Sequence, residues 1–114
     1  MAYITEDYVS FQTAELLKEK GMNKSCFNHY VQKNNNDGTS EAVTVCTLQI
    51  AMKWLREVHK TFISITYEND GVFTANLKVP LKGVDCMIDN KHNCWLTYEE
   101  AVEEALKYCL ENLI

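Results

Sequence analysis

Four side chains that can bind a metal ion fall within one short stretch of the sequence. They are Cys86, Asp89, His92 and Cys94. Zinc accepts thiolate, imidazole and carboxylate ligands in a tetrahedral arrangement. The spacing of these four residues matches no recurrent zinc signature, however, and Cys86 has the phase of an inward-facing strand residue. The sequence therefore predicts no metal and no cofactor, with these four residues as weak metal candidates.

A cysteine nucleophile is the next chemistry to consider, because the chain has five cysteines and three histidines. A catalytic cysteine needs a thiolate beside a base in an accessible setting. No glycine-framed nucleophile turn surrounds any cysteine, and Cys109 has the phase of a buried helix residue. The four glycines are isolated and form no phosphate-binding loop. The sequence therefore assigns no catalytic residue and favours a protein that is not an enzyme.

Length and charge narrow the classes of function. At 114 residues, 46% hydrophobic and 24% charged, the chain is predicted to form a single globular domain, 1–114. The net charge is −5, and eleven basic residues are scattered among sixteen acidic ones. Nucleic-acid binding through a broad basic face is therefore disfavoured, because such binding needs clustered Lys and Arg against the phosphates.

The cellular location is predicted from what the sequence lacks. No uninterrupted apolar run approaches the ~20 residues of a membrane helix. Residues 1–10 are polar and acidic, unlike a signal peptide, and none of the five cysteines forms a CxxC pair. Unpaired cysteines are typical of a reducing compartment. We therefore expect a cytoplasmic protein with no membrane contact.

Sequence patterns predict three helices and four or five strands. Ser10, Thr47 and Thr97 each precede an amphipathic segment as an N-cap residue, and Thr97 with Glu100 forms a capping box. Alternating patterns predict the strands, which short connections make antiparallel. The predicted strands are 26–32, 41–46, 62–68, 72–79 and 84–89. The expected fold is a two-layer α+β domain in which three helices cover one antiparallel sheet, in the order α-β-(β)-α-β-β-β-α.

The second helix, predicted from Leu48 to about Lys60, carries an unusually wide apolar surface. On a helical wheel its apolar residues cover an arc of about 200°, whereas a surface helix needs a stripe of only about 100°. Ile50, Trp54 and Val58 lie toward one edge of that arc. Because aromatic residues on such flanks are enriched at interfaces, we predict that these three residues contact a protein partner or a second copy in a homodimer.

The last helix has one apolar face and one acidic face. The acidic side chains of its first turn suit the positive end of the helix dipole, and Glu103 is placed to pair with Lys107 on a solvated surface. An acidic inhibitor of a host nucleic-acid enzyme is therefore one alternative function. The other alternative is a small metal- or thiol-dependent enzyme that uses the loop from Cys86 to Cys94.

Three segments also carry a family resemblance. They are 9–21, 48–59 and 97–114, which together form the helical half of the chain. This half resembles a group of short uncharacterised proteins of Bacteroides-type gut bacteria and their phages or mobile elements. Relatives commonly have a proline and a threonine before the second helix, whereas Cys46 and Thr47 stand here. The resemblance implies a bacterial or phage origin and carries over no activity, cofactor or catalytic residue.

Overall fold

The computed structural model describes residues 7–68, 70–88 and 94–114, and it has the α+β fold that the sequence predicts. The element order α-β-β-α-β-β-β-α also agrees with the prediction. The helices are α1 (Phe11–Glu19), α2 (Leu48–Val58) and α3 (Tyr98–Asn112). The strands are β1 (His29–Asn34), β2 (Ser40–Val45), β3 (Phe62–Tyr67), β4 (Phe73–Val79) and β5 (Val84–Met87).

The strands form two antiparallel sheets in the described residues, where the sequence analysis expected one. β1 and β2 make a hairpin, with Val31 opposite Val43. β3, β4 and β5 make a meander in which β4 is central. α2 lies in the sequence between the hairpin and the meander. α2 therefore connects the two sheets, and no ladder among the described strands joins one sheet to the other.

The first strand begins later than predicted. Cys26 ends a 3₁₀ turn, Lys24–Cys26, whose first donor is satisfied because the Asn23 side chain accepts a hydrogen bond from the Ser25 amide. Phe27 is buried but lies in the loop after this turn. Phe27, His29 and Val31 follow the alternating pattern of a strand. The sequence pattern therefore could not distinguish an inward-pointing loop residue from a strand residue.

All three predicted N-caps are confirmed. The Ser10 side chain accepts from the Thr13 amide, Thr47 from Ile50, and Thr97 from Glu100. Each bond satisfies one of the backbone donors that a helix leaves without an intrahelical partner. The three helices therefore begin at the residues that the sequence indicates.

The core lies between α3, the other helices and the meander. The residues that are less than 2% exposed include Leu17, Leu55, Leu77, Leu106 and Leu110. β4 alternates as predicted, with Ala75, Leu77 and Val79 buried and Phe73 half-buried. No helix in the described parts of the chain is long and apolar enough to span a membrane.

Cys86 lies on the face of the sheet that the sequence predicts, but the expectation that it is buried there is wrong. Cys86 is opposite Leu77 in the ladder, so the two side chains share a face of the sheet. Leu77 is fully buried, whereas Cys86 is exposed. β5 is an edge strand, and the helical layer that covers β4 leaves Cys86 accessible. Alternation identifies the face of a strand residue but not whether another layer covers it.

Candidate functional site

The predicted metal loop is only partly within the described residues. Cys86 is exposed at the sheet edge and Cys94 is half-buried, while Asp89 and His92 lie outside the described residues. Among the residues that are described, no group of three or more His, Cys, Asp and Glu side chains is close enough to hold a metal ion. The absence of a metal therefore stays a prediction.

The cysteines differ strongly in accessibility, and none of the five is in a disulfide. Burial raises the pKa of Cys46 to about 11 and that of Cys109 to about 12. Both thiols are therefore protonated at neutral pH, and a protonated thiol is a poor nucleophile. Cys86 is the cysteine most open to solvent.

The predicted contact residues lie on one flank of α2, which we call the α2 flank (Ile50, Trp54 and Val58). Ile50 is 41% exposed and Val58 is 59% exposed, while Trp54 is half-buried against the core. The other apolar side of the helix, which includes Ala51 and Leu55, is covered by the chain itself. The core therefore covers most of the wide apolar arc, and its exposed members are Ile50 and Val58.

The residues next to the α2 flank hold Trp54 in place. The ring of His59, the C-cap residue of α2, meets the Trp54 ring edge-on with 4.5 Å between the centroids. Burial, and then the nearby charge of Lys82, lowers the pKa of His59. The His59 Nε2 atom is buried and has no hydrogen-bond partner among the described residues. The imidazole is therefore neutral at pH 7 and serves as packing for Trp54.

A cleft of about 500 Å³ opens at the N-terminal end of α2. We call it the N-terminal cleft, and Ile50 lines it as well as belonging to the α2 flank. Its other lining residues are Tyr8, Ser25, Cys26, Asn28, Thr47 and Gln49. One wall is stiffened because the Tyr8 ring stacks on His29 with 3.9 Å between centroids. The sequence did not indicate this cleft, since its walls come from three separate segments.

The junction of α1 and α3 contradicts one further prediction. Glu103 does not pair with Lys107 on a solvated face, since Lys107 lies 3.9 Å from Glu104 instead. Glu103 Oε1 accepts hydrogen bonds from the Ser10 amide (3.0 Å) and from the Thr13 hydroxyl (2.7 Å). Its other carboxylate oxygen is buried without a hydrogen-bond partner in the described residues. Glu103 therefore fastens α3 to the first turn of α1.

This contact completes a capping box between two helices. In the usual box the third helical residue is Glu or Gln, whose side chain accepts from the N-cap amide. α1 has Thr13 at that position, and Glu103 of α3 supplies the missing carboxylate. The only sequence signal was the absence of an acid three residues after Ser10, which does not say where the substitute lies.

Comparison with known proteins gives no relative for this arrangement. No protein-family model matches the chain, and neither the curated proteins nor the solved structures contain a match.

Proposed function

We propose that the protein is a small, non-enzymatic interaction module of a bacterial or phage cytoplasm, which binds a protein partner through the α2 flank. The observation that carries the proposal is the exposure of Ile50 and Val58. These two residues lie about one helical turn before and about one turn after Trp54. Such a row gives a partner an apolar strip about 12 Å long. Trp, Tyr and Arg side chains near the centre of a contact carry most of the binding energy in protein interfaces, so Trp54 is the expected anchor of this strip.

Two further features support this assignment. The N-terminal cleft continues the surface beyond Ile50, so a partner side chain has a depression of about 500 Å³ beside the strip. The buried thiols Cys46 and Cys109 have raised pKa values, which makes them unsuited to nucleophilic chemistry. The cleft supports binding, and the raised pKa values argue against catalysis by these two cysteines.

The experiment is protein capture from a lysate of the source organism with three baits. Wild type is compared with the double variant Ile50→Gln/Val58→Gln and with the control Tyr30→Gln. Tyr30 is 71% exposed on β1, away from α2, so the control also removes an exposed apolar side chain. Wild type and control should retain a stoichiometric partner that the double variant loses. Retention of the same partner by the double variant would overturn the proposal.

A further inference from the structure

α2 and the turn after β4 concentrate positive charge beside the α2 flank. The cations are Lys53, Lys60 and Lys82, which we call the cationic rim, and all three are exposed. Glu57 is the only acidic residue of α2. In the whole chain acidic residues outnumber basic ones by sixteen to eleven. The cations of the rim therefore outnumber the single carboxylate of α2 in a chain whose net charge is −5.

The charge of the cationic rim is not neutralised within the described residues. None of its members takes part in an ion pair there, whereas Lys33 lies 3.5 Å from Glu15 and Lys107 lies 3.9 Å from Glu104. Lys60 donates to the Glu57 carbonyl at 3.0 Å, and Lys82 donates to the Leu113 carbonyl. A carbonyl oxygen carries no formal charge, so these contacts orient the ammonium groups and leave their charge available.

The cationic rim and the α2 flank lie close together. Lys53 follows Ile50 by three residues, so the two are neighbours on the helix surface. At the other end, the charge of Lys82 acts on His59, the residue that follows Val58. The N-terminal cleft lies at the start of α2, where the helix dipole is positive. Glu57, which follows Trp54 by three residues, also lies beside the strip, so three cations and one carboxylate border it.

We infer that the α2 flank and the cationic rim together dock an acidic amphipathic helix of a protein partner. The apolar side chains of that helix would cover Ile50, Trp54 and Val58, and its carboxylates would face the rim. This inference rests on the proposed function and adds the chemistry of the partner. The complementary charges also steer the encounter and exclude partners of the wrong sign.

The same charges argue against two other occupants. In a symmetric homodimer the α2 flank would face its own copy, because a two-fold contact uses the same patch on both subunits. The two cationic rims would then repel each other. Single-stranded nucleic acid takes its affinity from a basic groove lined with aromatic rings for base stacking. Ile50 and Val58, the exposed members of the flank, are aliphatic.

The test uses synthetic peptides and the change in tryptophan fluorescence, which Trp54 reports at the flank while Trp95, at 9% exposure, contributes a constant background. The probe is a peptide of about sixteen residues, long enough for four helical turns. It has Leu at every third or fourth position and Glu elsewhere, without aromatic residues. A second peptide replaces each Glu with Gln. We expect the Glu peptide to bind more tightly than the Gln peptide, and its advantage to fall in high salt.

Two double variants separate local charge from total charge. Lys53→Gln/Lys82→Gln should weaken the Glu peptide about fivefold, as expected for the loss of two exposed ion pairs. Lys33→Gln/Lys107→Gln removes the same total charge from positions beside Glu15 and Glu104, and it should leave the affinity unchanged. Equal weakening by both double variants would overturn the inference, because the attraction would then come from net charge.

The remaining outcomes distinguish this inference from the proposed function. If both peptides bind equally and both are lost in Ile50→Gln/Val58→Gln, the flank binds helices but not acidic ones, and only the inference fails. Failure of every peptide to bind wild type also overturns the inference, while the lysate capture decides the proposed function separately. The inference would also be overturned if a single-stranded oligonucleotide bound as tightly as the Glu peptide. A dimer in solution that dissociates in the Val58→Gln variant would overturn it as well.

Discussion

The junction of α1 and α3 and the α2 flank use their side chains in opposite ways. At the junction, Glu103, Ser10 and Thr13 are joined by hydrogen bonds of 2.7–3.2 Å, and Thr13 is fully buried. On the α2 flank, apolar side chains that a core would bury reach solvent at 41% and 59% exposure. Removing a side chain at the junction should therefore cost stability, and removing one from the flank should cost binding.

The largest loss of stability is expected from a substitution in the core next to the junction of α1 and α3. Leu106 on α3 is fully buried, so Leu106→Ala should lower the free energy of unfolding by about 3 kcal/mol through lost burial and the cavity left behind. Leu81, which is 82% exposed, provides the matched control, and Leu81→Ala should change the free energy of unfolding by about 0.5 kcal/mol or less. Urea unfolding measures both. Similar losses for the two variants would show that the assigned core is wrong.

The second largest loss of stability is expected from the hydrogen bonds of the junction. Glu103→Ala leaves the Ser10 amide and the Thr13 hydroxyl without their acceptor, and the free energy of unfolding should fall by about 2 kcal/mol. Glu104 neighbours Glu103 but lies on the exposed side of α3, so Glu104→Ala should have an effect of about 0.5 kcal/mol or less. If the two alanine variants unfold at the same urea concentration, the inter-helix capping box contributes nothing.

These contacts also show which features of the fold could be predicted from the sequence. The N-caps Ser10, Thr47 and Thr97 were predictable because a cap is a local event within four residues. The inter-helix role of Glu103 was not, because its partners lie more than 85 residues away in the chain. The exposure of Cys86 and the division into two sheets depend on which layer covers which strand, and periodicity within one strand holds no information about that.

The proposed interaction surface was predictable to the same limited extent. Periodicity placed Ile50, Trp54 and Val58 on one flank of α2, and the structure describes two of them as exposed and Trp54 as half-buried. The N-terminal cleft was not predictable, because its walls come together only in the folded chain. The position of Lys82 beside His59 depends on the tertiary fold in the same way.

The end of α2 offers a smaller test with an internal control. Lys60 has a backbone φ of +51°, in the left-handed region that side chains with a Cβ atom disfavour. Lys60→Gly should therefore raise the free energy of unfolding by about 0.5 kcal/mol. The same substitution inside the helix, Lys53→Gly, should lower it by about 1 kcal/mol. A loss of stability in both variants would contradict the left-handed assignment.

The smallest expected effect is a pH dependence from His59. Because the folded pKa of His59 lies below its ordinary value of 6.5, the unfolded chain takes up a proton first as the pH falls. The stability from the neutral imidazole is therefore complete above pH 6.5 and is lost below it. In urea unfolding at about pH 7.5 and about pH 5.5, wild type should lose more stability than His59→Gln. Parallel losses would exclude His59 as the source.

The most direct measurement combines stability and binding in one variant, Val58→Gln. Val58 is 59% exposed and glutamine is a good helix former, so the free energy of unfolding should stay within about 0.5 kcal/mol of wild type. Binding of the captured partner should weaken at least about fivefold, which is the loss expected for an apolar contact of about 1 kcal/mol. Unchanged binding together with a clear loss of stability would contradict the account, because Val58 would then serve the fold.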